Sequence, residues 1–440
     1  MKSSFNKPQS EAITHGKGPA LILAGPGSGK TLVITQRVKN LIEKQHIRPS
    51  NILVITFTKA AATQMKERFT ILMGEGRYPV TFGTFHSVFF SVLKNAYHYT
   101  AQNIIREEKK YQILYDIIHR MELEYEDEQE FMSGVLSEIS LVKNEGIDLA
   151  HYYAKNCAAD IFRKIYQQYE AGKQRAGLID FDDMLVYTYE LFRERKDILA
   201  LWQKQYPYIL IDEFQDTDRI QYRIFKALFL ADVPEAPTSV FFVGDPKQAI
   251  YAFRGAELDV YLQARNDIEQ MGSQSESAGL RTLETNYRST PALVTAVNAF
   301  FSANGSSGSF LSADIRYSDL KTGASAMPLV RIRDGKPEFV PVMSLWVDDE
   351  TLSGSKIEAV RQAEAKYMAD DIASLLDGTV YIYRHGQWRV LRPGDIAILV
   401  KKRSASQHVQ RELLARGVRT LLDDQTNVFT TSEADDVRAV

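Results

Sequence analysis

Residues Ala24 to Thr31 read Ala-Gly-Pro-Gly-Ser-Gly-Lys-Thr and close the apolar run Ala20–Ala24. Glycines at Gly25, Gly27 and Gly29 let the backbone curl, so that N–H groups around Ser28 point into one small volume. Such a nest at a helix N-terminus suits a polyphosphate. Lys30 then reaches the β- and γ-phosphates, and the Thr31 hydroxyl ligates Mg²⁺. The usual pattern opens with Gly, and Ala24 stands in that place. The apolar strand before the loop and the helix-like run Leu32–Glu43 after it supply the setting the motif requires.

A second group of residues has the types that act on such a ligand. Tyr208-Ile-Leu-Ile-Asp212-Glu213 is an apolar run ending in paired acids. One carboxylate at a strand end can hold Mg²⁺ and the next can orient or deprotonate water, which assigns Asp212 to the metal and Glu213 to general base. Asp245 and Gln248, after another apolar run, can sense a γ-phosphate. Arg288 can stabilise charge on it. Tyr287 can stack on a nucleobase, and Gln9 can offer an adenine edge both a donor and an acceptor. A third group mixes hydroxyls, aromatics and bases: Thr56, Phe57 and Lys59; Thr84 and His86; Tyr251, Phe253 and Arg254. That mixture suits a single-stranded nucleic acid gripped by its backbone and stacked bases. Singly, these residues have plainer readings: His86 as a structural histidine, the aromatics as core, Gln9 as surface polarity.

The elements that position them are short apolar runs: Ala20–Ala24, Ile52–Phe57, Val80–Phe85, Tyr208–Ile211, Val240–Val243 and Thr282–Thr285. Runs of this length suit strands buried on both faces of a parallel sheet. Helix-like stretches between them argue an α/β fold, with ligands beyond the carboxyl ends of the strands. The stretch 90–202 breaks the rhythm. Helical spacing in Lys109–Met121 and Gln129–Val142 marks it as a mostly helical insertion, and the acids from Glu122 to Glu130 as a solvated helix face or loop. Gly/Ser-rich stretches between residues 302 and 327 mark a second boundary. Beyond it, strand-like Leu329–Ile332, Val340–Val347, Val380–Tyr383 and Ile396–Val400, with helical Ile357–Leu376, read as the start of another α/β domain. The expected domains are thus 1–89 with 203–290, 90–202, and 291–440.

The 440 residues carry a net charge of −3, so a nucleic-acid surface must be local. One cysteine, Cys157, excludes an internal disulfide framework and fits a reducing compartment. There is no signal-peptide core, and no apolar run approaches the ~20 residues that span a bilayer. A cytoplasmic protein with no membrane partner is expected.

These segments, in this order, resemble the UvrD/Rep and RecB group of superfamily 1 helicases. The text up to about Asp216 is UvrD-like, including Leu178-Ile-Asp-Phe-Asp-Asp-Met-Leu. From there it resembles RecB, in Gly244-Asp-Pro-Lys-Gln-Ala-Ile-Tyr-Ala-Phe-Arg-Gly and Arg392-Pro-Gly-Asp-Ile-Ala-Ile-Leu-Val, which suggests a hybrid joined there. The resemblance implies a P-loop RecA-like parallel sheet with a helical insertion, plus a partial second RecA-like domain that stops before the last motifs. It also implies an ATP-dependent 3′-to-5′ motor on single-stranded DNA and duplex junctions, in repair or recombination. Carried onto matching positions, Gln9 and Tyr287 hold adenine, and Lys30 and Thr31 hold phosphate and Mg²⁺. Asp212 and Glu213 serve metal and water, and Gln248 and Arg288 face the γ-phosphate. Phe57, His86, Tyr251, Phe253 and Arg254 line the DNA path. The alternative is a shortened module that binds ATP and single-stranded DNA, hydrolyses slowly and does not unwind. Leu32 stands where many relatives carry an Arg that helps hold the base.

Overall fold

The computed structural model describes residues 5–123, 125–230, 239–250, 258–274, 279–302, 315, 317–323, 326–347, 356–384, 386–400 and 403–422. Tyr251, Phe253 and Arg254 lie outside them. The chain divides into two compact units, Met1–Tyr287 with Phe301–Lys321, and Arg288–Phe300 with Thr322–Val440.

Six strands form the centre of the first unit: β1 (Ala20–Ala24), β2 (Ile52–Thr56), β3 (Thr81–Thr84), β4 (Tyr208–Ile211), β5 (Ser239–Gly244) and β6 (Gly279–Leu283). They lie in the order β3-β2-β4-β5-β1-β6, and every pair is parallel. The apolar runs explain this. Alternate residues serve two separate cores, with Leu53, Ile55, Ile209, Ile211 and Phe242 on one face. Ile52, Val54, Leu210, Phe241 and Val243 serve the other. A strand apolar on both faces has no solvent side, so helices must cover both. The last strand begins earlier than the run Thr282–Thr285 suggested, because the ladder to β1 opens at Gly279 opposite Ala20.

Helices α1 (Lys7–Thr14), α2 (Lys30–Glu43) and α3 (Lys59–Met73) flank the first two strands. Between β3 and β4 come α4 (Phe85–Tyr97), α5 (Glu107–Arg120), α6 (Glu128–Glu145), α7 (Ala159–Arg175), α8 (Phe181–Glu194) and α9 (Lys196–Gln205). Residues of α5, α6 and α7 make a core of their own around Leu114, Ile117, Val135, Ile139, Phe162 and Ile165. Those of α4 and α8, such as Val92 and Phe192, join the core under the sheet. In the acidic stretch, Asp127 caps α6 by accepting from the Glu130 N–H.

Where α6, α7 and α8 meet, two buried lysines close on buried acids. Lys143 Nζ lies 2.6 Å from Asp183 Oδ1 and 3.1 Å from Asp180 Oδ2, and Lys173 Nζ lies 2.6 Å from Asp183 Oδ2. Glu170 reaches both ammonium groups.

In the second unit, Val330–Arg333 pairs antiparallel with Lys336–Phe339 and with Val380–Arg384, which pairs antiparallel with Gln387–Val390. The strand expected over Val340–Val347 falls instead at Lys336–Phe339. Asp334 and Gly335 have φ of 52° and 73°, a tight two-residue turn that puts Arg333 opposite Lys336. Ile396–Val400 joins no ladder among the described residues. Ile396 and Ile398 instead pack on the cluster of helices Ile357–Leu375 and Arg403–Ala415. Only these two residues of the run are partly buried, and Leu399 and Val400 are exposed.

Candidate nucleotide and nucleic-acid site

The phosphate loop joins β1 to α2, and its backbone explains its glycines. Gly27 and Gly29 have φ of 69° and 88°, a region that side chains disfavour. A Cβ on Gly27 would lie 2.6 Å from Asn286 Oδ1. Gly29 is the N-cap of α2 and provides no side-chain cap, so the first-turn N–H groups are open to an anion. The Ser28 hydroxyl is buried with no hydrogen-bond partner. This cradle fits a polyphosphate.

Lys30 meets the residues that follow β4 and β5. Its Nζ donates to Glu213 Oε2 at 3.0 Å and to Gln248 Oε1 at 3.1 Å. Gln248 Nε2 donates to Asp245 Oδ2 at 2.9 Å, the Asp245 N–H donates to Gln215 Oε1 at 3.1 Å, and Gln215 Nε2 donates to Glu213 Oε2 at 2.6 Å. The result is a closed ring of five residues from three parallel strand ends. Gln215 was not singled out in the sequence. Its signal was a polar residue two positions after Glu213, at a turn that must fold back onto β5. A Cβ at Gly244 would lie 2.6 Å from Gln215 Oε1, which is why β5 ends in glycine.

Asp212 and Glu213 sit differently. Asp212 is buried, and its Oδ1 accepts the Glu213 N–H at 3.0 Å. Burial, then the Glu213 charge, push its carboxyl up to about 7, with Lys30 acting in the other direction. Burial likewise pushes Asp216 up to about 6. Glu213 has φ of 53°, a left-handed conformation uncommon for a side chain of its size, and it leaves the carboxyl half-exposed. Crowded acids of this kind suit a divalent cation, and Asp212 with Thr31 has the oxygen chemistry Mg²⁺ takes.

Gln9 is buried on α1 and donates to Ser28 O at 3.0 Å, while its Oε1 accepts the Asn6 N–H at 3.2 Å. One amide hydrogen and one lone pair remain for a base. Asn6 Nδ2 donates to the Tyr287 hydroxyl at 2.8 Å, and the Tyr287 N–H donates to Gly27 O at 2.9 Å. The adenine candidates are thus anchored to the phosphate loop. Arg288 is exposed and belongs to the second unit.

Of the nucleic-acid candidates, Phe57 and His86 share one cavity of about 760 Å³, together with Phe85, Phe181, Asp182 and Asp218. The His86 ring stands edge-on to Phe181 at 5.2 Å. Burial lowers the His86 pKa, and the Asp182 charge works the other way. Lys59 is exposed at the start of α3. The hydroxyl candidates are engaged otherwise. Thr56 is buried, and its Oγ1 donates to Thr58 O at 3.0 Å. Thr84 is the N-cap of α4, accepting from the Ser87 N–H. Their hydroxyls close strand ends because a strand-to-helix turn leaves orphan backbone groups.

Among the described residues no helix is long and apolar enough to cross a membrane. Residues 5–269 match the family described as UvrD/REP helicase N-terminal domain. The chain is 30% identical over 408 residues to a probable DNA helicase II homolog of Rickettsia felis, covering 90% of this chain and 54% of the relative. It is 28% identical over 448 residues to ATP-dependent DNA helicase PcrA of Bacillus subtilis, covering 99% and 52%. With DNA helicase II of Escherichia coli K12 the figures are 33% over 308 residues, 68% and 41%. The chain spans about half the length of these relatives. A parallel sheet that brings a phosphate-loop lysine onto a paired-acid strand end, and a family match that runs across both, place this chain in the UvrD/Rep helicase family.

Proposed function

We propose that this chain forms the ATP-hydrolysing and DNA-gripping part of a 3′-to-5′ DNA helicase that works on single-stranded DNA and duplex junctions in cytoplasmic repair or recombination. The observation that carries this reading is the ring through Lys30, Glu213, Gln215, Asp245 and Gln248. It gathers the phosphate loop, the acid pair and the segment leading to the aromatic candidates at the carboxyl ends of three neighbouring strands of one sheet. Residues 1–89 with 203–290 serve as the first motor domain, 90–202 as its accessory insertion, and 291–440 as part of a second RecA-like domain. The RecB-like character from Asp216 onward rests on the residues quoted for it.

In this reading Lys30 leaves Glu213 and Gln248 for the β- and γ-phosphates of ATP. Glu213, released from the ammonium, orients and deprotonates the attacking water. Gln248 and Arg288 face the γ-phosphate, while Gln9 and Tyr287 hold adenine. Thr31 and Asp212 would hold Mg²⁺, which would neutralise phosphate charge. Because Gln248 is also tied to Asp245, loss of the γ-phosphate is felt by the segment that follows, which couples turnover to grip on DNA.

The test is phosphate release with and without single-stranded DNA, for the native chain and Lys30→Ala. DNA-stimulated turnover, lowered at least ~10²-fold by Lys30→Ala, is expected. ATP binding without turnover would favour a binding module. Turnover indifferent to DNA would overturn the motor reading.

A further inference from the structure

Arg37 stands in the apolar stripe of α2, between Val33 and Leu41, where the helical repeat calls for another apolar side chain. It is 1% exposed. Among the described residues no carboxylate pairs with it. Its NH1 donates to His15 O at 2.5 Å and Ala12 O at 3.5 Å, and its NH2 to Gly16 O at 3.3 Å and Ser239 Oγ at 3.1 Å. The guanidinium carbon lies 4.4 Å from the centre of the Phe241 ring. Burial alone would disfavour this charge and pulls its pKa down to about 9. A guanidinium kept there without an acid is doing something a buried leucine cannot.

What it does is set by where the carbonyls come from. Ala12, His15 and Gly16 lie at and just past the C-terminal end of α1, the end whose carbonyls lack helical partners and attract cations. The other end of α1 carries Asn6 and Gln9, the first tied to Tyr287 and the second to the phosphate loop. Ala12 and Ile13 bury the apolar side of this helix, but apolar packing resists sliding and rotation weakly. Directional bonds to three carbonyls fix both. Arg37 also sits on the helix that begins at Lys30, and it reaches β5 through Ser239. One rigid group thus ties the base-side helix to the phosphate-side helix.

We propose that Arg37 is a positioning residue for recognition of the nucleotide base: it holds α1 in the register that places Gln9. This rests on the reading of Gln9 as the residue that meets adenine. Lysine at position 37 keeps a charge and a similar stem but offers one point of donation in place of a planar fork.

The experiment measures displacement of a fluorescent ATP analogue by ATP and by UTP on the full chain, which needs no turnover, with thermal melting alongside. Gln9→Ala is expected to lower the preference for ATP over UTP about tenfold, and Arg37→Lys to lower it by a similar factor. The double variant should be little worse than either, because both act on one contact. Ser239→Ala, which removes one anchor of the guanidinium, should shift the preference in the same direction by about twofold. It serves as the readout if Arg37→Lys does not fold. A lowered melting temperature with an unchanged ATP-to-UTP preference in Arg37→Lys or Ser239→Ala, or additive effects with Gln9→Ala, would overturn the proposal while leaving the base reading intact. An unchanged preference in Gln9→Ala would remove the base reading and the proposal with it.

Discussion

Two places in the first unit bring lysines onto aspartates and glutamates, and they behave in opposite ways. In the helical cluster, Lys143 and Lys173 each contact Asp180, Asp183 and Glu170, and the four Lys and Asp side chains are at most 5% exposed. Burial pushes the Asp180 carboxyl up, but the two ammonium groups outweigh it and hold it well below the ordinary carboxylate range. At the nucleotide site, Lys30 faces Glu213 with 14% and 37% of the side chains exposed, and Lys247 pairs with Asp245. Among the described residues Asp212 and Asp216 have no ion-pair partner, and burial pushes both up. The same residue types make a staple where two lysines are shared among three acids, although burial and the Asp180 charge push Asp183 up, and a more open pairing at the candidate nucleotide site.

The largest expected effect breaks the staple. Lys173→Met leaves Asp180 and Asp183 buried with half their counter-charge and should destabilise the first unit by about 3–5 kcal/mol. Lys30→Met, at a half-open site, should change stability by less than about 1 kcal/mol. Chemical denaturation of both variants measures the difference. Equal losses would mean that the nucleotide site is as much a structural cluster as the helical one.

pH separates the two regions next. Asp212, at about 7, and Asp216, at about 6, bind protons more tightly folded than unfolded, where an aspartate titrates near 3.9. Between about pH 4 and 7 the folded chain therefore holds more protons, and stability falls as pH rises through that window. Buried Asp218, also at about 7, adds to the fall. Asp180, held low, contributes stability that is present above pH 4 and lost only in stronger acid. Asp212 alone should contribute on the order of 2–3 kcal/mol to the loss between pH 5 and 8, so denaturation of the nucleotide-free chain should show at least that loss, reduced by about that amount in Asp212→Asn. Stability that rises over this range would show that Asp212 is charge-balanced after all.

The contrast also marks what the sequence made legible. The phosphate loop and the acid pair were readable because the chemistry is local: Gly27, Gly29 and Lys30 must be neighbours, and Asp212-Glu213 ends an apolar run. The parallel sheet was readable from strands with no polar face. The helical staple was not, because Lys143 and Asp180 come from different helices and a lysine in an amphipathic helix ordinarily reads as solvent-facing. Arg37 left a trace, a charge within an apolar stripe, whose partners are backbone carbonyls that no side-chain pattern can announce. Asp334-Gly335 was a legible turn, and reading it would have put the following strand at Lys336. Thr56 and Thr84 show the limit of residue type: a hydroxyl at a strand end offers itself equally to a ligand and to the helix that follows.

The smallest effect sharpens the comparison most. A double-variant cycle of Lys30→Met with Glu213→Gln should give a coupling of about 0.5–1 kcal/mol at low salt, since water reaches both groups. In 1 M salt, where the screening length is about 3 Å, it should fall toward zero. The cycle of Lys173→Met with Asp183→Asn should give a larger coupling that salt leaves nearly unchanged. A weak, screened bond is what a lysine needs if an incoming phosphate is to take it from Glu213 at little cost. A strong, salt-resistant coupling at Lys30 would mean that the ring has to be broken before nucleotide can enter, and binding would then be limited by that opening rather than by encounter.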